Sequence, residues 1–417
     1  MDMGYIKRNL QAKIDALLKI FPAVLILGAR QTGKTTLAKV CRPEWRYFDL
    51  EKGSDYDFIT SDYDFFFREY PQQLIIDEAQ ETPQIFKELR GVIDSSRRKK
   101  NRFMLTGSSS PKLLSAISDS LAGRIGIIEV GTLKGNEIYA QPIPDFYQIF
   151  LQDINASTLD FLKLTLATSQ HKHQDSLNHL LKGGYPEPVL QSSDDFFYAW
   201  MENYHKTYIS TDIRRLYPRL DEVKYRRFIS MLASLSGTIV NKAQLGRSID
   251  VSEMSIRDYL DIAHNTYIWR NIPSYEGSVA KSIVKMPKGY FRDSGLLHYL
   301  LNITSREQML KSPNVGQNFE SFVIEEIIKG LQSCSVKKWD YYYYRTRNGA
   351  EVDLILEGSF GILPIEIKFG TSTRLKQLTS LNKFIEENQL PMGIVINNSQ
   401  EIKRLNNKII QIPVNCV

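Results

Sequence analysis

The sequence predicts an α/β protein whose first part is built on a doubly wound parallel sheet. Three short apolar runs indicate this fold class, and the run at Ala23–Leu27 has the length and residue types of a buried parallel strand. A glycine-rich loop, a pair of acids and a hydroxyl-rich segment follow these three runs. The chain has 417 residues. This length exceeds one typical domain, so we expect more than one core.

Composition narrows the class of protein. Hydrophobic residues make up 42% and charged residues 24%, as in ordinary globular proteins. The apolar runs are far shorter than the ~20 residues of a membrane span. The N-terminus lacks a signal-peptide pattern, and the cysteines share no short spacing, so we expect a reduced cytoplasmic protein without structural zinc. The net charge of +6, with basic clusters at 97–102 and 214–227, is compatible with nucleic acid without indicating it.

The loop after the first strand matches the pattern G-x-x-x-x-G-K-[ST] at every fixed position. Its glycines allow backbone N–H groups to surround phosphates, and the following helix adds partial positive charge at its N-terminus. We expect Lys34 to reach the β- and γ-phosphates of ATP and the Thr35 hydroxyl to bind Mg²⁺. An ordinary glycine-rich turn is the weaker interpretation, because a strand precedes the loop and a helix follows it. The predicted nucleotide-binding residues are Gly28, Ala29, Arg30, Gln31, Thr32, Gly33, Lys34, Thr35 and Thr36.

The second apolar run, which begins at Leu74, ends in Asp77 and Glu78. A carboxylate pair at this position in a phosphate-hydrolysing enzyme has a defined role. Asp77 is expected to hold Mg²⁺ through water, and Glu78 to polarise the attacking water. The alternative is that both acids only cap the turn into the next helix.

Two further segments complete the predicted catalytic residues. The third run ends in hydroxyl residues, and a polar side chain there would sense the γ-phosphate or orient water. We choose Ser108 for this role, with Thr106 as the rival. Arg124 follows a small-residue turn and would act in trans as an arginine finger if subunits form a ring. A structural arginine at the surface is an equally open interpretation.

These motifs together resemble the AAA-type ATPases of prokaryotes that carry a C-terminal domain of unknown function. The matching segments are G-x-R-Q-x-G-K-T-T-L, L-I-I-D-E-A-Q, L-T-G-S-S, S-L-A-G-R, G-G-Y-P-E and K-x-P-K-x-Y-F-x-D-x-G-L-L. The resemblance implies an AAA+ strand order and assembly into a homo-oligomer, with a ring as one form. A lid arginine that would sense nucleotide is not evident. We expect an ATPase domain at 1–180, a helical and winged-helix-like module at 181–305, and a smaller α/β domain at 306–417.

The middle segment has the pattern of a helix-turn-helix between residues 236 and 260, with Ser252 as N-cap of the second helix. The segments that follow it, up to residue 285, supply a wing, so the module resembles a winged helix. The second helix begins Glu253-Met-Ser-Ile-Arg257-Asp-Tyr, with one arginine between two acids. DNA binding and protein binding therefore both stay open. The sequence assigns no chemical role to Asp293.

The C-terminal segment has the order helix, hairpin and strand, which resembles restriction-endonuclease-like folds. That resemblance implies a second Mg²⁺ site formed by Asp353 and Glu366, with Lys368 activating water and Glu320 as a further acid. Glu366 and Lys368 are two residues apart, so they share one face of a strand. Two carboxylates and a metal would polarise water against a phosphodiester. The alternative is a domain that keeps the fold for binding only.

The leading functional prediction is ATP binding and Mg²⁺-dependent ATP hydrolysis. We expect this hydrolysis to drive conformational change or assembly on a macromolecular partner, with nucleic acid as the first choice. The alternatives are an ATP-gated, metal-dependent nuclease and a nucleotide-switched protein scaffold. No membrane partner is expected.

Overall fold

The structure is a computed structural model that describes residues 5–108, 117, 119–166, 173–191, 193–276 and 286–417. The chain divides into two compact units. The N-terminal unit comprises Arg8–Thr132 and Asn265–Ile268; the C-terminal unit comprises Met1–Lys7, Leu133–His264 and Trp269–Val417. Residues 133–180, which the sequence placed with the ATPase domain, thus belong to the C-terminal unit. The domain boundaries at 181 and 306 stay predictions.

The N-terminal unit contains a five-stranded sheet whose paired strands are all parallel, in the order β2-β3-β4-β1-β5. This arrangement confirms the parallel sheet predicted for the first part of the chain. The strands are β1 Ala23–Gly28, β2 Arg46–Asp49, β3 Leu74–Asp77, β4 Phe103–Gly107 and β5 Ile125–Val130. The helices are α1 Leu10–Ile20, α2 Lys34–Cys41, α3 Gly53–Ser61, α4 Tyr63–Glu69 and α5 Gln84–Asp94, with a 3₁₀ turn at Ala79–Glu81.

Helices cover both faces of this sheet, which explains why β1 and β4 are buried along their whole length. Val24 and Ile26 of β1 pack in a cluster with α1 and α2. Leu25 and Leu27, on the opposite face, pack in a cluster with α4 and α5. Each such side chain contributes roughly 1.5–3 kcal/mol by leaving water. The carboxyl ends of β1, β3 and β4 therefore meet at one edge, where ligands bind in open parallel sheets.

The first part of the C-terminal unit is mainly helical and includes a small antiparallel sheet of order β6-β8-β7. The Ser252 hydroxyl accepts a 3.0 Å hydrogen bond from the Ser255 N–H, so Ser252 is the N-cap that the sequence predicted. The strands are β6 Thr238–Ile239, β7 Trp269–Ile272 and β8 Lys288–Phe291. The helices are α6 Gly135–Ile138, α7 Thr158–Thr165, α8 His173–Lys182, α9 Pro186–Gln191, α10 Asp194–Thr207, α11 Arg214–Leu216, α12 Glu222–Ser234, α13 Lys242–Ile249 and α14 Glu253–Asn265, with a 3₁₀ helix at Asp145–Leu151 and a π-helix at Tyr208–Ile213.

Asp293, to which the sequence gave no role, joins two of the motifs that carry the family resemblance. Its Oδ2 accepts a 2.9 Å hydrogen bond from the Gly184 N–H, in the Gly-Gly-Tyr-Pro-Glu motif. Its Oδ1 accepts a 2.9 Å hydrogen bond from the Leu296 N–H and so caps the helix that begins at Ser294. Asp293 is buried and has a structural function.

The last part of the chain forms a six-stranded mixed sheet in the order β13-β14-β12-β11-β10-β9. Strands β9, β10 and β11 are antiparallel neighbours, and β12 runs parallel to β11. The strands are β9 Trp339–Arg345, β10 Glu351–Gly358, β11 Gly361–Lys368, β12 Gly393–Asn397, β13 Lys403–Arg404 and β14 Ile409–Pro413. The helices are α15 Ser294–Leu300, α16 Arg306–Lys311, α17 Val315–Ser333 and α18 Thr379–Glu387, with 3₁₀ turns at Leu375–Leu378 and Val414–Cys416.

Helix α17 is buried along most of its length and packs on this sheet. Its position next to β11 brings the carboxylate of Glu320 towards the sheet residues that the sequence selected. Among the residues that the structure describes, no helix has the length and apolar character needed to cross a membrane.

Candidate functional site

The glycine-rich loop leaves β1 at Gly28 and enters α2 at Lys34. Gly33 has a φ of 87°, a left-handed conformation that favours glycine. A Cβ at Gly28 would lie 2.2 Å from the Val130 carbonyl oxygen, so only glycine fits there. The Lys34 side chain is 5% exposed, and its Nζ lies 2.9 Å from the Ala29 carbonyl oxygen and 3.3 Å from that of Gly28. The loop thus surrounds the ammonium group.

Arg8, which the sequence analysis did not select, supports this loop from outside. Its guanidinium donates hydrogen bonds to the Thr32 carbonyl oxygen at 3.0 Å and to the Gly131 carbonyl oxygen at 2.8 Å. The Thr32 hydroxyl in turn donates to the Ala29 carbonyl oxygen at 2.9 Å. Arg8 lies outside the glycine-rich motif, so no local pattern could have identified it.

Asp77 lies at the end of β3, where hydroxyl groups from three elements bind its carboxylate. Thr35 donates to Oδ1 at 3.1 Å, and the buried Thr106 hydroxyl also donates to Oδ1. Tyr47 of β2 donates to Oδ2 at 2.7 Å. Burial and this hydrogen bond raise the pKa of Tyr47, so its hydroxyl stays protonated. These three donors, among the residues that the structure describes, are neutral hydroxyl groups.

Glu78 has a left-handed backbone conformation, with φ 52° and ψ 47°. Its N–H donates to the Thr106 hydroxyl at 3.2 Å, and the Gln80 amide donates to its Oε2 at 2.5 Å. The Ser108 N–H donates to Gln80 Oε1 at 3.2 Å. Of the two hydroxyl residues considered for this position, Thr106 is thus the one whose side chain contacts Asp77. Ser108 contributes its backbone to the group around Glu78.

Arg124 is paired within its own unit. Its Nε and Nη2 lie 2.8 and 2.9 Å from the two carboxylate oxygens of Asp94, a bidentate arrangement near the end of α5. Bidentate geometry holds a guanidinium firmly. The predicted role of Arg124 in a neighbouring subunit stays a prediction.

Thr35 and Asp77 have the chemistry of a Mg²⁺ site. A hydroxyl and a carboxylate oxygen lie 3.1 Å apart at the mouth of the loop. Mg²⁺ prefers oxygen ligands and usually takes only one or two of them from protein, with phosphate and water supplying the rest. The residues therefore fit the cation that the motif implies.

In the C-terminal unit the structure brings together Asp353 of β10 with Glu366 and Lys368 of β11. Lys368 Nζ lies 2.5 Å from Glu366 Oε1 and 3.8 Å from Asp353 Oδ2. The Ile367 N–H also donates to Asp353 Oδ2, at 2.8 Å. Both carboxylates and that of Glu320 are buried. We call Glu320, Asp353 and Glu366 the acidic cluster.

The three acids repel one another inside the unit. Burial, together with the charge of Asp353, raises the pKa of Glu366 to about 8 and that of Glu320 to about 7. Burial also raises the pKa of Asp353. The pKa of Lys368 is raised because the charges of Asp353 and Glu366 outweigh the opposing effect of burial. The cluster therefore favours bound protons or cations.

Two residues of β8, absent from the predicted site, also reach the acidic cluster. Lys288 Nζ lies 2.7 Å from Glu320 Oε1 and 2.6 Å from Glu351 Oε1. The Tyr290 hydroxyl donates to Glu320 Oε1 at 2.5 Å. Both residues belong to the K-x-P-K-x-Y-F segment, which resembles the AAA-type ATPase family but has no chemical role that the sequence indicates.

Within the described part of the chain, no three His, Cys, Asp or Glu side chains converge closely enough to hold a metal ion together. The acidic cluster supplies the right donor atoms, but Lys288 and Lys368 already lie against its carboxylates. The second Mg²⁺ site formed by Asp353 and Glu366 therefore stays a prediction. A metal ion there would compete with the ammonium groups for the carboxylate oxygens.

Comparison with known proteins first defines the class. The family model described as an AAA domain matches residues 21–139, which contain the loop, Asp77 and Glu78. The greater part of the N-terminal unit, from residue 21 to residue 132, thus lies within the segment that is similar to AAA domains. Two domains of unknown function, DUF8612 and DUF4143, match residues 173–307 and 315–417.

The family follows from similarity over most of the chain. The chain is 31% identical over 365 residues to uncharacterized protein Rv2008c of Mycobacterium tuberculosis, which covers 87% of this chain and 74% of that protein. The same values apply to uncharacterized protein Mb2031c of Mycobacterium bovis. This chain belongs to the family of these two proteins.

Solved structures are less similar to this chain than these two relatives. The Walker-type ATPase of Pyrococcus abyssi is 13% identical, with 71% of this chain and 96% of that chain covered and a TM-score of 0.41. The RuvB Holliday junction branch migration motor of Thermotoga maritima is 18% identical, with 64% of this chain and 89% of that chain covered and a TM-score of 0.26. The likeness of the N-terminal unit to AAA domains is therefore carried by the AAA family model and by the residues of the glycine-rich loop.

Proposed function

We propose that this protein binds ATP together with Mg²⁺ at the glycine-rich loop and hydrolyses it. The observation that carries the proposal is the surroundings of Asp77. Its carboxylate lies against the Thr35 hydroxyl at the loop, and neutral groups hold it in place. A buried carboxylate held by neutral donors is suited to a cation that arrives with the nucleotide.

Each residue has a role in this proposal. The Lys34 ammonium, which now lies against carbonyl oxygens, would bind the β- and γ-phosphate oxygens, and backbone N–H groups from Gly28 to Thr36 would bind the phosphates. Thr35 and Asp77 would hold Mg²⁺, which would neutralise charge on the phosphates. Glu78, oriented by Gln80, positions and polarises the attacking water.

For the residue that senses the γ-phosphate, the contacts favour Thr106 over Ser108. The Thr106 hydroxyl touches Asp77 and accepts from the Glu78 N–H, so it lies between the metal-binding and water-activating residues. Ser108 remains the alternative. The bidentate pair with Asp94 favours a structural role for Arg124, and action on a neighbouring subunit stays the alternative.

The test is the rate of ATP hydrolysis by the full chain and its Lys34→Ala variant. We expect the variant to lose at least about 100-fold in turnover, because a buried positive charge on the phosphates is removed. Lys87→Ala, an exposed lysine on α5, is the matched control and should hydrolyse ATP normally. Unchanged turnover in Lys34→Ala would overturn the proposal.

We also propose that hydrolysis is coupled to conformational change or assembly on a macromolecular partner. The order helix, strand, helix, helix, strand, strand from α12 to β8 supports a winged-helix module. The exposed side of α14 carries Glu253, Asp258 and Asp261 beside Arg257, which disfavours phosphate contacts there. If nucleic acid is the partner, it must bind elsewhere. The absence of binding to single- or double-stranded DNA at low salt would favour the protein-scaffold alternative.

A second candidate function is metal-dependent cleavage of nucleic acid by the last domain. The order of α17, β9, β10, β11, α18 and β12 supports a restriction-endonuclease-like fold. The observation that favours cleavage is that Asp353, Glu366 and Lys368 are adjacent, and that Glu366 Oε2 is buried without a hydrogen-bond partner among the described residues. Mg²⁺-dependent cleavage that is lost in Asp353→Ala would support it. No cleavage of any substrate with ATP present would count against it.

A further inference from the structure

Among the described residues, the acidic cluster and its edge bring four carboxyl groups together but only two lysines. Its three buried carboxylates come from α17, β10 and β11, and the partly exposed Glu351 adds a fourth acid at the edge. Lys288 and Lys368 are the ammonium groups that the structure places against them. The raised pKa values of Glu320 and Glu366 are consistent with this excess. A divalent cation would have to compete with these protons and lysines for the carboxylate oxygens.

Lys288 occupies the Glu320 side of the cluster. Its side chain is buried, and its Nζ bridges Glu320 and Glu351 at 2.7 and 2.6 Å. Tyr290, two residues later on the same face of β8, donates to the same Glu320 oxygen. Strand β8 thus presents an ammonium and a phenol to one carboxylate. A metal ion that took Glu320 as a ligand would have to displace both groups.

The small sheet that carries Lys288 is attached to α17 by a second buried ion pair. Arg270 of β7 binds the Glu325 carboxylate through Nε and Nη2, the latter at 3.1 Å, and Arg292 Nε lies 3.6 Å from Glu325 Oε2. Strands β7 and β8 are hydrogen-bonded neighbours, with Ile272 opposite Lys288. The Arg270–Glu325 pair therefore fixes where Lys288 meets the acidic cluster. A shift of this sheet along α17 would withdraw the lysine.

We propose that Lys288 is a built-in competitor for divalent metal ions, which keeps the acidic cluster closed to them while β8 is seated on α17. The inference rests on the second candidate function, because it supposes that the cluster binds metal once it is released. It assigns the small sheet the role of holding an ammonium group at Glu320, where a cation would otherwise bind.

The test is Mn²⁺ binding to the full chain without nucleotide, followed by electron paramagnetic resonance of free Mn²⁺. Lys288→Met should raise the affinity for Mn²⁺ by at least about tenfold, because a competing charge in direct contact with a ligand is removed. The gain should vanish when Asp353→Asn is added. Lys311→Met, which removes an exposed lysine from α16, is the matched control and should leave the affinity unchanged.

The outcomes separate the inference from the function on which it rests. Equal, Asp353-dependent affinity in wild type and Lys288→Met overturns the competition and leaves the metal site standing. No Asp353-dependent binding in either protein overturns both. If circular dichroism shows that Lys288→Met is unfolded, Lys288→Gln, which removes the charge but keeps a hydrogen-bond donor, must give the same gain.

Discussion

Two buried acidic sites in this chain are built in opposite ways. In the N-terminal unit, Asp77 is held by the hydroxyl groups of Thr35, Tyr47 and Thr106. In the C-terminal unit, the carboxylates of Glu320 and Glu366 lie against the ammonium groups of Lys288 and Lys368. Hydroxyl donors orient a carboxylate without cancelling its charge. Ammonium groups orient it and cancel the charge as well.

The difference distinguishes a carboxylate that is available to a cation from carboxylates that already form ion pairs with lysines of the same chain. Both sites contain Asp and Glu next to strand ends or on neighbouring strands, so residue type does not distinguish them. What distinguishes the two sites is whether the groups that hold the carboxylates are neutral or positively charged. A site held by neutral donors gains from a metal ion at once, whereas a site held by lysines must first lose a favourable ion pair.

The largest effect is expected from Glu78→Gln. If Glu78 polarises the attacking water, the amide should reduce kcat by about 10²–10³-fold while ATP still binds, because only the chemical step is affected. Steady-state hydrolysis and equilibrium ATP binding together measure this. Glu88→Gln on α5 serves as control and should hydrolyse ATP at the wild-type rate. A Glu78→Gln protein with normal kcat would make Glu78 a structural residue.

A smaller effect distinguishes the two hydroxyl residues of β4 and the loop after it. Thr106→Val keeps the shape of a fully buried side chain but removes its contacts with Asp77 and Glu78, so kcat should fall about tenfold. Ser108→Ala should change kcat by less than about twofold. The opposite ranking would assign the γ-phosphate contact to Ser108 instead.

The acidic cluster should make stability depend on pH. The pKa of Glu366 is raised from its ordinary value of 4.5 to about 8 in the folded chain, so the folded state holds a proton that the unfolded state releases. Stability from this group is present below about pH 4.5 and is lost as the pH rises to about 8. The slope is up to about 1.4 kcal/mol per pH unit.

Thermal unfolding between pH 5 and 8 measures this dependence. Glu366→Gln, which stays uncharged, should show a flatter decline in Tm than wild type, and the exposed Glu387→Gln should not. Equal slopes in all three proteins would mean that Glu366 is ionised in the folded chain throughout this range.

The smallest effect is expected at Arg124. Because Asp94 holds both sides of its guanidinium, we expect Arg124→Ala to change turnover by less than about threefold, as Asp94→Ala should. The measurement is kcat at protein concentrations that span any self-association. A loss of several hundred-fold in Arg124→Ala alone would establish the arginine finger and with it a ring.

Local signals explain why the structure brings together residues that the sequence selected. The glycine-rich loop, Asp77 and Glu78 each follow a buried strand directly, and parallel strands bring such positions to one edge of the sheet. Asp353, Glu366 and Lys368 were placed together for a similar reason, because β10 and β11 are neighbours.

The residues that the sequence missed depend on distant contacts. Arg8 binds the Thr32 carbonyl oxygen, 24 residues later in the sequence, and Lys288 of the small sheet binds Glu320 of α17, 32 residues later. Neither periodicity nor a motif spacing encodes such a pair. For the same reason the sequence could not place Lys288 against the acidic cluster.

The most direct test of this account is binding of Mn²⁺ in the presence of ATP to wild type, Asp77→Asn and Asp353→Asn. The account predicts that ATP creates a Mn²⁺ site in wild type, that Asp77→Asn weakens it by at least about tenfold, and that Asp353→Asn leaves it unchanged. The contrary result is an ATP-dependent Mn²⁺ site that survives Asp77→Asn and disappears in Asp353→Asn.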